Sequence, residues 1–247
     1  MATPSVLGKV RRILDTLADG GVLGLSELAR RSGVAKPTVH RLCAELLDWG
    51  VVERAGDAFR LGPKLFELGG RVPGRRQFRE AALPFVEDLL VATGHTVHLA
   101  VLDGLDVMYV ERLTGRRFSP APSAVTDRLP LHCTATGKCL LAFGPAALLD
   151  AVVAGGLPAR TARSITDGPT LADELARVRR DGTATEIGEV SDGHVSVGAP
   201  IFELGENVVG ALSITGQEGI VDLEQCRALV RVAAAGLSRR LGASERT

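Results

Sequence analysis

The sequence predicts an α+β protein in two parts, a small helical module with a hairpin and a larger domain of sheet and flanking helices. Two observations predict it. Apolar residues recur at helical spacing up to about residue 50 and then give way to two short strand-like runs. From Thr96 the period changes, and antiparallel strand pairs alternate with helical stretches to the end of the chain.

The first predicted helix runs from Val6 to about Ala18, with Val10, Ile13, Leu14 and Leu17 on one face, and "ADGG" breaks it. Ser26 is the expected N-cap of a short second helix through Leu28 and Ala29. "RSGV" supplies the turn, with Gly33 as its flexible point. The third helix is expected from about Lys36 to Trp49, opened by Pro37 and stopped by Gly50. Val39, Leu42, Leu46 and Leu47 form its apolar face, which leaves Lys36, Thr38, His40 and Arg41 on the other side. Two short helices around a glycine-bearing turn make a helix-turn-helix. Val51–Arg54 and Ala58–Leu61 around "AGD" add a hairpin, and the sum is a winged helix-turn-helix.

A brief helix carrying Leu65, Phe66 and Leu68 follows, then a long amphipathic helix in "PGRRQFREAALPFVEDLLVATG". Phe78, Leu83, Val86, Leu89 and Leu90 are its expected stripe, and Pro84 is expected to kink or split it. "TVHLAVLDGLDVMYVERL" reads as a hairpin turning at Asp103-Gly104. "CTATGKCLLAF" and "TLADELARVRRDG" read as helices, the second ending at Gly182. "HVSVGAPIFELGENVVGALSITG" reads as a strand pair turning at "LGEN", and "DLEQCRALVRVAAAGLSRRL" as the closing helix. The expected domains are residues 1–62 for the winged module, 63–76 for a helical linker and 77–247 for the larger domain.

Composition bounds the function. Of 247 residues, 45% are hydrophobic and 23% charged, which suits a packed core. No apolar run reaches membrane-span length and the N-terminus lacks a signal peptide's pattern, so a cytoplasmic protein without membrane partners is expected. The four cysteines form no CxxC pair, which argues against a disulfide framework and a zinc ribbon; no metal or cofactor is expected. The net charge is zero, yet residues 1–72 carry +3 and the remainder −3. That asymmetry fits a nucleic-acid module on a near-neutral body.

A recognition helix enters the major groove with its N-terminal residues at base edges. Lys36 and Arg41 can reach phosphates or guanine edges, and Thr38 a phosphate or a thymine methyl. Pro37 and His40 belong to the same turn. Arg54 and Arg60, on the wing, can follow the backbone or the minor groove. Basic helix faces are also often merely solvated, so the reading depends on the helix-turn-helix around them.

The ordered set "LARRSGVAKPTVHRLCAELLDWGVVER", "RLGPKLFELG", "PLHCTATGKCLLAF" and "GALSITG" resembles the IclR family of bacterial transcription regulators, from about Val6 to Leu241. The resemblance implies a GAF-like effector-binding domain and a homodimer or dimer of dimers. The apolar helix at Leu65–Leu68 and the connector after it are candidates for the dimer contact. It further implies that Leu129, Ala135, Thr136, Glu186, His194, Ser196, Ser213 and Thr215 line an effector cavity, with His132 in the loop that enters the helix. The free N–H groups of that loop suit a carboxylate. Ser196, Ser213 and Thr215 alternate along strands, so their hydroxyls can share a side. His194 stands where the family often has an aliphatic residue, Thr136 where it has a smaller residue or leucine, and Glu186 where aspartate is frequent. His95 and His98 are expected at the strand surface or in a satisfied core.

The expectation is therefore a ligand-responsive regulator, a repressor on a palindromic double-stranded operator, controlled by a small organic acid. The alternatives are an effector-independent DNA-binding protein, a zinc-bearing regulator, or an enzyme built on His132 and Cys133. Sequence neighbours rarely meet in catalytic geometry, and no carboxylate stands ready to orient the histidine.

Overall fold

The computed structural model describes residues 5–69, 75–116 and 128–243. The chain divides into two compact units, Met1–Arg76 and Gln77–Thr247.

In the first unit, α1 (Val6–Gly20) is capped by Ser5, whose side chain accepts from the Gly8 N–H. Strand β1 (Leu23–Gly24) follows, then α2 (Leu25–Ser32) and α3 (Lys36–Trp49). The N-cap of α2 is Gly24 and it makes no side-chain cap bond; Ser26 lies inside the first turn, contrary to expectation. Leu23 pairs with Phe59 in the hairpin, and that pairing draws the helix start forward. Gly33 turns the chain between α2 and α3 in a left-handed conformation. Gly50 does the same at the end of α3 with φ 79°, its N–H bonding to Leu46 and Leu47 carbonyls. The wing is β2 (Val52–Ala55) and β3 (Ala58–Leu61), in a sheet of order β1-β3-β2. Ile13, Leu17, Leu28, Val39, Leu42, Leu46 and Phe59 close one core. Each large side chain so buried contributes about 1.5–3 kcal/mol. Helix α4 (Lys64–Gly69) packs Leu65 on this core.

The second unit is built on six antiparallel strands in the order β6-β5-β4-β9-β8-β7. These are β4 (Thr96–Asp103), β5 (Asp106–Leu113), β6 (Arg128–Pro130), β7 (Ala184–Ile187), β8 (His194–Phe202) and β9 (Val208–Gln217). One face carries α5 (Arg75–Thr93) and α9 (Leu223–Arg240), packed through Ala82, Val86, Leu89, Val230, Ala234 and Leu237 onto Leu99, Val197, Leu212 and Ile214. The other face carries α6 (Ala135–Phe143), α7 (Ala146–Ala154) and α8 (Gly168–Asp181), packed onto Ala100, Val107, Tyr109 and Ala211. A single helical turn, Leu131–Cys133, leads into α6.

Three sequence expectations change. Helix α5 is continuous through Pro84, which is exposed. Leu83 stays outside the core cluster, and Ala82 and Phe85 take its place in the stripe. Helix α7 and the short strands β1, β6 and β7 were not expected at all; the strands have two to four residues each, too few to display a period.

Candidate functional site

The strand period decides what lies beneath α6. Along β9, Leu212 and Ile214 face the α5/α9 layer, so Ser213 and Thr215 face the other way. On β8, Val197 and Ala199 face α5/α9, so Ser196 and Gly198 do not. The ladders then place Glu186 beside Ser196, Ser196 beside Thr215, and Ser213 between Gly198 and His98.

These rows floor a narrow cavity with about 370 Å³ of atom-free space, solvent at its mouth included. Leu129, Ala135, Glu186, His194, Ser196, Ser213 and Thr215, which the family resemblance names, line it together with His98, Tyr109, Thr134 and Val190, which it does not name. His132 and Thr136 are not among the lining residues. The His132 ring is buried with Nε2 3.2 Å from the Pro158 carbonyl, and Thr136 is buried with its hydroxyl unpartnered among the described residues.

A chain of polar contacts crosses the floor. Ser196 Oγ lies 2.9 Å from Thr215 Oγ1, which lies 3.3 Å from His98 Nδ1. The His98 ring stacks at 4.6 Å, tilted, on Tyr109. Complete burial, aided by the Arg112 charge, pushes His98 down to about 3, so its imidazole is neutral. Tyr109 reaches the cavity because of a bulge: Leu99 pairs with Glu111 but Ala100 with Tyr109, leaving Val110 extra. The one-residue slip turns Tyr109 inward, which strict alternation from Arg112 forbids.

Helix α6 points its N-terminus at this floor. Thr134 caps it by accepting from the Gly137 N–H at 3.1 Å, and Lys138 N–H bonds to the Thr134 carbonyl. The N–H groups of Ala135 and Thr136 stand before the first intrahelical bond, at the positive end of the helix dipole. Gly137 is required here: a Cβ would strike the Leu131 carbonyl oxygen and lie 2.5 Å from Thr134 Oγ1.

Glu186 also lines the cavity. Its Oε1 accepts from the Glu189 N–H at 2.6 Å and the Val190 N–H at 3.1 Å. Burial pushes its carboxyl up to about 7 against these bonds, and Glu189 adds repulsion. Beneath it lies a buried ion pair. Lys138 Nζ, its side chain 1% exposed, donates to Glu189 Oε1 at 2.5 Å and to the Thr185 carbonyl at 3.1 Å. Lys138 thus ties α6 to β7, which carries Glu186, and to the segment after it, which carries Val190. Among the described residues, no lysine or arginine lines the cavity.

The thiols are unsuited to attack: burial pushes Cys133 and Cys139 up to about 12. Among the described residues, no cluster of three or more His, Cys, Asp or Glu is placed to hold a metal ion, and no helix is long and apolar enough to cross a membrane.

In the first unit, Lys36, Pro37, His40 and Arg41 of α3 are exposed and Thr38 is half-buried, while Val39, Leu42 and Leu46 are buried. The polar face is thus open within this unit. Arg41 Nη1 rests 3.0 Å from Glu45, and Arg60 Nε 2.6 Å from Glu53. Arg54 sits 5.2 Å from the centre of the Phe59 ring. Both ion pairs are solvent-exposed and therefore weak enough to exchange for a phosphate.

Residues 71–239 match the family described as bacterial transcriptional regulator IclR C-terminal, and residues 6–56 match the IclR helix-turn-helix domain. The chain belongs to the IclR family of bacterial transcriptional regulators. The transcriptional regulator XynR of Escherichia coli is 32% identical over 226 residues, covering 89% of this chain and 90% of its own. The glycerol operon regulatory protein of Streptomyces coelicolor is 34% identical over 229 residues, covering 90% and 89%. An IclR homologue from Microbacterium hydrocarbonoxydans, solved in complex with 4-hydroxybenzoate, superposes with a TM-score of 0.87 at 31% identity, covering 97% of this chain and all of that one. The IclR protein of Thermotoga maritima superposes at 0.81 and 29% identity, with 96% and 98% covered. IclR family membership makes the protein a DNA-binding regulator of transcription and not an enzyme, with the N-terminal helix-turn-helix and C-terminal effector domain described above.

Proposed function

We propose that this regulator is a cytoplasmic repressor that binds a palindromic operator as a dimer and is released by a small hydroxylated organic acid. The observation that carries the effector reading is the cavity's mixed lining. The start of α6 offers N–H groups and a positive dipole, with Thr134 and Ala135 in the wall. Glu186, Ser196, Ser213, Thr215 and neutral His98 offer side-chain hydrogen-bonding groups, with Tyr109 and Leu129 as apolar walls. A carboxylate suits the helix start and a hydroxyl suits the side-chain groups. A bound 4-hydroxybenzoate in the Microbacterium homologue carries the same two groups and supports this reading.

In the DNA unit, Lys36, Thr38, His40 and Arg41 are assigned to the major groove with Pro37 setting the turn, and Arg54 and Arg60 to the backbone beside it. One such module reads few bases, and two half-sites supply the rest. Phe66 on α4, 86% exposed, and Leu68, 40% exposed, suit a second copy. A dimer seated on an operator blocks polymerase without further contacts, whereas activation needs an additional surface.

The test is protection of the DNA upstream of the gene by the purified protein, with and without hydroxylated aromatic and aliphatic acids. Protection of two symmetric half-sites, lost on adding one of the acids, is expected. A footprint that no acid alters overturns the effector reading, and uniform binding to unrelated DNA overturns the operator reading.

A further inference from the structure

A second concavity lies at the opposite ends of α6 and β8. Strand β7 stops pairing at Ala184 and Gly198, so among the described residues no strand flanks the outer edge of Ala199–Phe202. The C-terminal turn of α8 on one face and the C-terminal half of α9 on the other border that gap. The resulting cleft holds about 1400 Å³ of atom-free space, open solvent included.

Among the described residues, four arginines line it, Arg179 and Arg180 from α8 and Arg231 and Arg239 from α9, against a single carboxylate, Asp181. Arg179 Nε is anchored on the Ala142 carbonyl at 2.7 Å. Among the described residues, Arg180, Arg231 and Arg239 have no ion-pair partner, whereas Arg128, Arg163, Arg177 and Arg227 of the same unit each have one. The floor is apolar: Phe143 and Phe202 meet edge to face with centroids 5.3 Å apart, beside Ala199 and Pro200.

The edge itself is closed to an added strand. Pro200 has no N–H, and the Phe202 N–H is taken by Ser238 Oγ at 3.0 Å. What remains available is a set of guanidinium groups above two aromatic rings. Guanidinium forks match phosphate oxygens in pairs, and the rings suit the organic part of such a molecule.

We infer that this cleft is a second ligand site, distinct from the effector cavity, that binds a small phosphate-bearing metabolite. It sits where α6 and β8 end, and both elements begin at the effector cavity. Along α6 the distance is about 12 Å at 1.5 Å per residue. Occupancy of one site therefore bears on the same two rigid elements as the other.

The test is calorimetric titration of the full chain with inorganic pyrophosphate at low salt, on wild type and on Arg231→Glu, Arg239→Glu and Arg240→Glu. Arg240 follows Arg239, is exposed and does not line the cleft, so it controls for charge alone. Circular dichroism checks the fold of each variant. Saturable binding is expected, weakened at least about tenfold by either cleft substitution and within about twofold of wild type for Arg240→Glu. Thr215→Val, in the effector cavity, is expected to leave it unchanged. The proposal falls if wild type shows no saturable binding, if Arg240→Glu loses as much, or if Arg41→Ala or Thr215→Val abolishes binding instead. It also falls if the cleft variants lower the sedimentation mass, which makes the cleft a subunit contact. It falls if they weaken duplex DNA binding and spare pyrophosphate.

Discussion

Replacing Glu186 by Gln tests the electrostatics of the cavity directly. The Glu186 carboxyl titrates near 7 in the fold against 4.5 ordinarily. Below about pH 4.5 it is protonated in both states and adds nothing to pH dependence. Between 4.5 and 7 the folded protein retains a proton that the unfolded chain has released, so this group's contribution to stability falls as pH rises. Above 7 the loss levels off at about 3 kcal/mol, from about 1.4 kcal/mol per pH unit. Glutamine does not titrate and its oxygen can still accept from the Glu189 and Val190 N–H groups. Urea unfolding of both proteins from pH 5 to 8.5 is the assay. Far-UV circular dichroism follows the whole chain, and the single tryptophan, Trp49, reports the first unit separately. The stability difference between Glu186→Gln and wild type should grow with pH and flatten above 7. A difference that stays constant shows an ordinary, ionised carboxylate and refutes the reasoning. The same protonation bears on ligands: an anion should bind wild type about tenfold more weakly at pH 8 than at pH 6, and Glu186→Gln with a flat profile.

Lys138→Met leaves Glu189 buried without its cation and should destabilise the second unit by about 3–5 kcal/mol, measured by denaturant midpoint, while Lys138→Met with Glu189→Gln recovers part of it. Gly137→Ala drives a Cβ into the Leu131 carbonyl oxygen and should displace the start of α6. Its expected cost is about 1–3 kcal/mol, with effector affinity falling in the same titration. Arg41→Ala should weaken operator binding by about 1–3 kcal/mol in a gel-shift or anisotropy assay and leave the melting temperature unchanged, since Arg41 is exposed and its ion pair with Glu45 is weak.

The first unit was legible because its grammar is local. Pro37 and Gly50 bracket α3 in the sequence as in the fold, and Val39, Leu42 and Leu46 are the residues its period buries. The Ser26 cap failed because a tertiary pairing, Leu23 with Phe59, outweighed local capping preference. In the second unit, alternation along β8 and β9 correctly gathers Ser196, Ser213 and Thr215 on one side. Tyr109 escaped because a bulge is invisible to a strict period of two. His98 escaped because only the register across β4 and β9, a long-range fact, sets it beside Ser213. Thr136 came from the family resemblance and His132 from the loop that enters α6; in the fold both side chains are buried and neither is among the cavity's lining residues. The role of Lys138 had no local sign, since its partner Glu189 lies far along the chain.

The central claim is that occupancy of the α6 cavity changes how the helix-turn-helix holds DNA. The most direct measurement is operator affinity by fluorescence anisotropy, with and without a saturating hydroxylated acid, for wild type and for Thr215→Val. The account predicts a shift of about 5- to 150-fold in wild type, a coupling of about 1–3 kcal/mol, that collapses in the variant. An acid that binds wild type yet leaves its operator affinity unmoved contradicts it.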